Sequence, residues 1–121
     1  QPFTPVLAQI RARTEALAGQ GFNSVLLNLY RDGADGMSWH SDDEPELGPA
    51  PLIASVSLGA TRRLLLRRRD AHDARLGLDL GDGSLLLMEP PLQRYWQHSV
   101  PKTRRAVGPR INLTWRRILT R

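Results

Sequence analysis

The segment RINLTWR, residues 110–116, has the alternating pattern of a β-strand with two different faces. Successive side chains of a strand point to opposite sides. One face therefore carries only polar residues, two of them arginines: Arg110, Asn112, Thr114 and Arg116. The other face carries Ile111, Leu113 and Trp115, a stripe suited to a hydrophobic core. The polar face is either solvated or directed into the protein, where unpaired arginines are costly unless an anionic ligand such as a dicarboxylate binds them.

Short β-rich segments separated by turns fill most of the chain around this strand. They comprise residues 23–31, 52–60, 62–69, 74–80 and 84–90, with residues 111–119 closing the chain. The segments 74–80 and 84–90 flank the turn sequence GDG and are predicted to form a β-hairpin. Many strands after a single helix indicate a mainly β (α+β) protein, either a β-sandwich or a jelly roll carrying a helix on one face.

The helix is predicted over Thr4–Gly19, before the first strand. Thr4 is a suitable N-cap and Pro5 suits the first helical position. One face of this helix is predicted to be apolar and to comprise Val6, Leu7, Ile10 and Leu17. The chain has 121 residues, which fits one domain spanning residues 1–121, with the helix at about 4–19 and the strand-rich core at about 22–119.

Composition limits the chemistry that the chain can perform. It has no cysteine, so disulfides, thiolate metal sites and thiol nucleophiles are excluded, and a metal must be held by His, Asp or Glu. The net charge is +5, and Lys102 is the only lysine. An arginine-rich surplus suits phosphate binding, but it is also explained by a solvated surface or by a GC-rich genome. There is no bilayer-length apolar run and no opening signal peptide. The chain lacks an initiator methionine, so we expect upstream parts of the natural protein to be missing.

The sequence MSWHSDDEPE, residues 37–46, contains a candidate metal-binding pair. His40 and Asp42 are two residues apart, so on an extended segment they project to the same side. A third candidate ligand is His98, in the sequence RYWQHSVP. Two imidazoles and one carboxylate on one side of an ion form the facial triad of non-haem Fe(II) oxygenases. The alternatives are a polar surface loop for the first pair and a structural histidine beside aromatic residues for His98.

The segment NSVLLNLY, residues 23–30, adds a second polar pair. Asn28 and Tyr30 are also two residues apart and share a face of the predicted strand. Their side chains are suitable partners for the oxygen atoms of an anionic ligand. They are equally explained as ordinary inward-facing polar residues.

These motifs together resemble the AlkB family of Fe(II)- and 2-oxoglutarate-dependent dioxygenases. The resemblance is carried by NLYRDGADGMSWHSDDE, IASVSLGATR, HSVPKTRR and PRINLTWR, in that order, from about residue 22 to residue 118. It is strongest to the branch that repairs duplex DNA and to bacterial relatives of that branch.

The resemblance implies a double-stranded β-helix, or jelly roll, and a specific set of ligands. His40, Asp42 and His98 would bind Fe(II). The cosubstrate 2-oxoglutarate would be bound by a larger set: Asn28, Tyr30, Arg110, Asn112, Thr114 and Arg116. In the family reaction, O2 and 2-oxoglutarate are consumed, succinate forms, and an N-methyl carbon is hydroxylated and released as formaldehyde.

The implied substrate is DNA, with RNA as a possibility, carrying 1-methyladenine or 3-methylcytosine. Enzymes that act on a base extrude it from the stack. Asp43 and Glu44, beside the proposed ligands, would face the cationic base. The phosphates would be contacted by a set of basic residues: Arg67, Arg68, Arg69, Lys102, Arg104 and Arg105. Tyr95, Trp96 and Trp39 are candidates for walls of the base pocket.

The resemblance also sets expectations for context. The family places a nucleotide-recognition lid upstream of the helix, and we expect most of it to lie outside this chain. We expect a monomer without a membrane partner, located in the cytoplasm and nucleoid of a bacterium or in the nucleus of a eukaryote. The alternative functions are a catalytically silent basic nucleic-acid-binding module, and a dioxygenase of the same fold acting on RNA, protein or a small molecule.

Overall fold

The computed structural model describes residues 4–119. The first element of these residues is helix α1 (Pro5–Ala18), and the hydroxyl of Thr4 accepts a hydrogen bond of 3.3 Å from the backbone N–H of Leu7. Gly19 ends the helix with φ at +73°, a left-handed conformation that glycine adopts without steric cost. Both predicted ends of the helix are therefore confirmed.

The predicted apolar face of α1 is only half correct. Leu7 and Ile10 pack against the neighbouring sheet, whereas Val6 and Leu17 are 66% and 70% exposed. The difference arises because the buried face is centred on Thr14, whose hydroxyl donates to the backbone carbonyl of Ile10 at 2.7 Å. A threonine whose hydroxyl is hydrogen-bonded within the helix itself can be buried. A search for apolar residues alone therefore does not place Thr14 on the buried face of the helix.

Eight strands follow α1 within residues 4–119. They are β1 (Ser24–Tyr30), β2 (Met37–His40), β3 (Ile53–Gly59), β4 (Arg62–Arg68), β5 (Arg75–Leu80), β6 (Leu85–Met88), β7 (Trp96–Val100) and β8 (Arg110–Arg116). A short helix, α2 (Pro90–Tyr95), lies between β6 and β7, and a 3₁₀ turn covers Pro45–Leu47. The sequence patterns did not identify β2, β7 or α2.

The strands form two four-stranded antiparallel sheets that face one another. The first sheet has the order β1-β8-β3-β6 and the second has the order β2-β7-β4-β5. Side chains from both sheets meet in a core cluster that contains Tyr30 of β1 together with Leu64 and Leu66 of β4. This mainly β architecture confirms the predicted jelly roll. The prediction that residues 1–121 form a single domain stays a prediction.

Helix α1 covers the outer face of the first sheet. Phe22, Leu113 and Trp115 are buried there at 2% exposure or less, beneath Leu7 and Ile10 of the helix. The apolar face of β8 therefore packs outward under the helix, although Ile111 at its end remains 39% exposed. The polar face of the same strand must then point between the two sheets.

The predicted hairpin of residues 74–80 and 84–90 is wrong. Strand β5 pairs with β4 in the second sheet, whereas β6 pairs with β3 in the first. The turn between them crosses from one sheet to the other, and the backbone N–H of Gly83 donates to the carbonyl of Ser57 on β3 at 2.7 Å. A turn sequence between two alternating segments is the same in both arrangements, so the pattern does not reveal the pairing partner.

Among residues 4–119, no helix has both the length and the apolar character required to cross a bilayer.

Candidate metal and cosubstrate site

His40 and His98 stand opposite each other on neighbouring strands of the second sheet. They are register partners across β2 and β7, and their ring centroids are 4.1 Å apart. The Nδ1 atom of His40 lies 2.8 Å from the carbonyl oxygen of Ser38. Because a carbonyl only accepts, Nδ1 carries the proton, and Nε2 of His40 is left with a lone pair for a metal.

Asp42 brings a carboxylate to the same place from the segment that follows β2. Its Oδ2 atom lies 3.5 Å from Nε2 of His98. One ligand atom from each of His40, Asp42 and His98 lies within 4.8 Å of the other two. The structure thus brings together the three residues that the sequence proposed as ligands.

Burial sets the protonation state of His98. Burial, and to a lesser extent the neighbouring His40, lowers the pKa of His98 to about 4, so its imidazole is neutral near pH 7. The contact between His98 and Asp42 is therefore not an ion pair. Burial also raises the pKa of Asp42, which means that its charge lacks adequate compensation from the protein alone.

This donor set fits a divalent transition metal. The imidazole of His98 is neutral, the Nε2 atom of His40 faces the cluster, and a buried carboxylate gains from a nearby cation. A metal held on one side by two histidines and a carboxylate keeps open positions for other ligands, which is the arrangement of non-haem Fe(II) oxygenases. The residues present therefore fit Fe(II).

Arg110 places a cation at the inner end of the same cavity. It is 2% exposed, and its Nη2 atom donates to Oγ of Ser57 at 2.8 Å. Its guanidinium also lies over the ring of Tyr30, 4.9 Å from the centroid. Burial lowers the pKa of Arg110, but a guanidinium still remains charged at neutral pH.

The guanidinium of Arg110 has unused hydrogen-bonding capacity. Its Nε and Nη1 atoms are buried and have no hydrogen-bond partner among the described residues. No carboxylate of residues 4–119 forms an ion pair with it. A buried cation with free donors is costly, so the site is suited to an anion such as a carboxylate, which can accept two of these bonds.

The remaining polar residues of β8 form a hydrogen-bonded row beside Arg110. The Asn112 amide donates to Oγ of Ser55 at 2.7 Å, and the Thr114 hydroxyl donates to Oδ1 of Asn112 at 2.9 Å. Both residues are less than 9% exposed. The polar face of RINLTWR is therefore directed into the interior, and the alternative of a solvated edge is wrong for its first three polar positions.

Strand β1 supplies the second predicted pair through its register with β8. Asn28 is paired directly with Asn112, and Tyr30 with Arg110. Cross-strand partners on one face lie close enough to interact. Four of the six proposed cosubstrate ligands thus form two adjacent pairs on the inner face of the first sheet.

One cavity of about 220 Å³ between the sheets joins these groups. Its polar lining includes the three proposed metal ligands and five of the six proposed cosubstrate ligands: His40, Asp42 and His98, with Asn28, Tyr30, Arg110, Asn112 and Thr114. Glu44 also lines this cavity. Its apolar wall, which the sequence patterns did not identify, includes Met37, Leu64, Leu80, Leu86, Met88 and Val100.

Arg116 and Asp43 do not line this cavity, and each is paired with another side chain. Nη1 of Arg116 lies 3.4 Å from Oε1 of Glu44, and the arginine borders a neighbouring cleft instead of the main cavity. Asp43 accepts a hydrogen bond of 3.0 Å from Nη2 of Arg69. Both residues would have to exchange these partners in order to bind a cosubstrate or a base.

The proposed phosphate-binding residues divide into two groups. Arg68 is paired with Asp70 at 2.9 Å, and Arg69 with Asp43 at 3.0 Å, so both cations are partly neutralised. Arg67 instead lies over the ring of Trp39, 4.2 Å from its centroid, and donates to Gln97.

The second group is the loop after β7. Lys102, Arg104 and Arg105 are exposed there, and none of them forms an ion pair with residues 4–119. The loop is held by the N–H of Thr103, which donates to the carbonyl of Gly33 at 2.8 Å. A Cβ on Gly33 would come within 2.3 Å of the carbonyl oxygen of Thr103, so only glycine permits this approach.

The predicted aromatic pocket walls do not line the cavity. Trp39 lies instead between Arg67 and Arg75, with the Arg75 guanidinium 5.6 Å from its ring centroid. Tyr95 is 46% exposed, and Trp96 packs against the core. Trp39 precedes the inward-facing His40 on β2, so alternation turns its ring to the opposite side.

A jelly roll that encloses two histidines, a carboxylate and a buried arginine defines the class of the protein as a non-haem iron oxygenase. A family profile described as the 2OG-Fe(II) oxygenase superfamily matches residues 1–116. The chain therefore belongs to the 2OG-Fe(II) oxygenase superfamily. Fe(II), 2-oxoglutarate and O2 are accordingly its cofactor and cosubstrates, as predicted.

Similar proteins support the AlkB resemblance. The chain is 45% identical over 126 residues to "DNA oxidative demethylase ALKBH2" of Mus musculus, with 98% of this chain and 53% of the relative covered. It is 44% identical over 122 residues to "Alpha-ketoglutarate-dependent dioxygenase alkB homolog 3" of Homo sapiens, with 94% and 43% covered. The chain thus spans about half the length of these curated relatives.

A solved structure of OsALKBH1 shares the fold. It superposes with a TM-score of 0.68 and 20% sequence identity, covering 95% of this chain and 64% of the other. This likeness agrees with the jelly-roll architecture described above.

Proposed function

We propose that this chain is the catalytic core of an oxidative demethylase acting on N-alkylated bases in DNA. A single observation carries the proposal: the His40–Asp42–His98 cluster and the guanidinium of Arg110, whose Nε and Nη1 atoms are unpaired, share one cavity of about 220 Å³. The similarity to relatives named as DNA oxidative demethylases supports DNA as the substrate class. The proposed lesions are 1-methyladenine and 3-methylcytosine.

In this proposal, His40, Asp42 and His98 hold Fe(II) through two imidazoles and a carboxylate. The iron, when bound, supplies the redox chemistry that couples 2-oxoglutarate decarboxylation to hydroxylation of the methyl group. Arg110 binds one carboxylate of 2-oxoglutarate through the donors that the protein leaves unused. Asn28, Tyr30, Asn112 and Thr114 contact its oxygen atoms from the paired strands, and Arg116 contacts a carboxylate once it leaves Glu44.

The residues after β2 would bind the base. Methylation of a Watson–Crick nitrogen gives the base a positive charge and weakens pairing, which lowers the cost of extruding it. Glu44, which lines the cavity, is placed to attract the cationic ring and to accept from its exocyclic amine. Asp43 takes the same role if Arg69 transfers to a phosphate.

The basic residues outside the cavity would contact the nucleic acid backbone. Lys102, Arg104 and Arg105 are the strongest candidates because they are exposed and unpaired within the described part of the chain. Arg67, Arg68 and Arg69 would contribute less, since the last two already contact carboxylates. We further propose that the protein acts as a monomer where DNA is found, in a bacterial nucleoid or a eukaryotic nucleus.

The test is mass spectrometry of oligonucleotides containing 1-methyladenine or 3-methylcytosine after incubation with Fe(II), 2-oxoglutarate and ascorbate. The oligonucleotide should lose about 14 Da, the mass of one methylene group, while succinate and formaldehyde are released. His98→Ala should abolish the mass loss and the release of both products. Turnover of methylated RNA or protein without turnover of methylated DNA would show that DNA is not the substrate. Salt-dependent DNA binding without any 2-oxoglutarate turnover would instead indicate a silent binding module.

A further inference from the structure

The segment that carries the carboxylate ligand is attached to the region around α2 by consecutive hydrogen bonds. Oγ of Ser41 donates to the carbonyl of Trp96 at 2.7 Å. The backbone N–H of Asp42 donates to Oε1 of Gln93 at 2.7 Å. Gln93 lies on α2, and Trp96 is the first residue of β7. Of these two bonds, the one to Gln93 holds the backbone of the proposed ligand Asp42 itself.

Asp42 depends on such a bond more than the two histidines do. His40 and His98 lie on strands that pair with each other, and the ladder fixes their backbones. Asp42 lies two residues beyond the end of β2, where the ladder no longer holds the chain. The bond to Gln93 replaces the ladder at this position.

Gln93 is held firmly enough to act as a fixed acceptor. It is 1% exposed, and its Nε2 atom is directed to Sδ of Met88 at 3.8 Å. Its own backbone carbonyl accepts from Nη2 of Arg69 at 3.0 Å. A buried amide is stable only when its polar atoms are paired, and the oxygen of Gln93 is paired with the amide of Asp42.

We propose that Gln93 is a positioning residue for the metal centre. Its side-chain carbonyl fixes the backbone of Asp42, and thereby the place of the Asp42 carboxylate relative to His40 and His98. The inference rests on the proposed function because it takes Asp42 as a metal ligand. Partners that orient metal ligands change metal affinity by about 10–100-fold when they are removed.

The experiment measures Mn(II) binding to the metal-free protein by electron paramagnetic resonance, without substrate or turnover. Gln93→Met keeps the size of the side chain and removes the acceptor, so the Kd for Mn(II) should rise by about 10–100-fold. Gln93→Glu keeps an oxygen acceptor at the same position and should bind Mn(II) more tightly than Gln93→Met. Gln93→Asn keeps the amide but shortens the reach and should fall between the two.

Ser41→Ala is the matched control. It removes a hydrogen bond of the same length from the adjacent residue, which is not a proposed ligand. Its Mn(II) affinity should change by less than about threefold even where its unfolding temperature falls as much as that of Gln93→Met. Equal losses of affinity in Ser41→Ala and Gln93→Met would overturn the proposal, because both would then act by loosening the segment.

His98→Ala separates failure of this inference from failure of the metal site itself. If His98→Ala loses Mn(II) binding while Gln93→Met retains it, the metal site stands and the role of Gln93 is refuted. If His98→Ala binds Mn(II) normally, the metal site is misassigned, and the role of Gln93 is refuted with it. Should Gln93→Met not fold, the comparison of Gln93→Asn with Gln93→Glu decides: equal affinities in these two refute the role.

Discussion

Arg116 and Glu44 form an ion pair, with Nη1 of the arginine 3.4 Å from Oε1 of the glutamate. The sequence assigned Arg116 to the cosubstrate and Glu44 to the base. The pair therefore joins two regions that are proposed to bind different molecules. It lies beside the cavity, where the Glu44 side chain is 46% exposed and that of Arg116 is 17% exposed.

Glu44→Gln should strengthen 2-oxoglutarate binding slightly, because it releases Arg116 from its present partner. A partly exposed ion pair contributes about 0–1 kcal/mol, so the expected gain in affinity is at most about fivefold. The measurement is calorimetric titration of 2-oxoglutarate into the Mn(II)-loaded protein. Glu46→Gln, with the same charge change two residues away, is the control. If Glu44→Gln bound 2-oxoglutarate more weakly and Glu46→Gln did not, the ion pair with Glu44 would not be what limits binding of the cosubstrate by Arg116.

Strand β8 shows what a sequence pattern can predict. Alternation alone separates Arg110, Asn112 and Thr114 from Leu113 and Trp115, and burial between the sheets or under α1 follows that division. The pattern works because side-chain direction in a strand is a local property. The metal ligands could be proposed because His, Asp and Glu were the sole donors that a cysteine-free chain offers.

Partners distant in the chain account for what could not be predicted. Arg69 reaches Asp43 across 26 positions, and the Asp42 amide reaches Gln93 across 51. No local pattern marks such pairs, so Gln93 resembles any polar residue of a short segment that starts with two prolines. The hairpin error between β5 and β6 has the same origin, since strand pairing is settled by the whole sheet.

Arg110→Met should abolish the stabilisation that 2-oxoglutarate gives to the protein. The Nε and Nη1 atoms of this buried side chain are unpaired, and an uncompensated buried charge carries a desolvation cost that an apolar side chain of similar size does not. The unfolding temperature without cosubstrate should therefore not fall, whereas the rise on adding 2-oxoglutarate with Mn(II) should disappear. Differential scanning calorimetry measures both quantities. A cosubstrate-dependent rise of normal size in Arg110→Met would remove Arg110 from the cosubstrate site.

Substituting Arg104 and Arg105 together by Ala should weaken DNA binding and reduce its dependence on salt. Each lost phosphate contact changes the slope of log affinity against log salt by about 0.9 for duplex DNA, so the pair should lower it by about 1.8. Fluorescence anisotropy across a salt series measures this slope. Arg68→Ala is the control, because Arg68 already contacts Asp70. A change of slope per arginine that is as large in Arg68→Ala as in the double variant would mean that the loop after β7 has no special role.

Asp35 should contribute stability at neutral pH that is lost in acid. Its carboxylate accepts two hydrogen bonds from Arg31 side-chain nitrogens and one from the Arg31 backbone, and these bonds hold its pKa well below the ordinary 3.8. A carboxyl whose pKa is lowered by folding stabilises the protein above its unfolded pKa, and the contribution disappears as the pH falls toward the folded value. The turn that Asp35 stabilises contains Gly33, whose carbonyl accepts the hydrogen bond from the N–H of Thr103 in the loop after β7.

The measurement is urea unfolding of the unsubstituted protein and Asp35→Asn across a pH series. The difference in unfolding free energy should be constant from about pH 7 down to about pH 5 and should shrink below the ordinary carboxyl pKa. Asp73→Asn is the control, since Asp73 forms no ion pair with the other described residues. A difference between the unsubstituted protein and Asp35→Asn that persists unchanged to about pH 2 would indicate that Asp35 acts through the shape of its side chain and not through its charge.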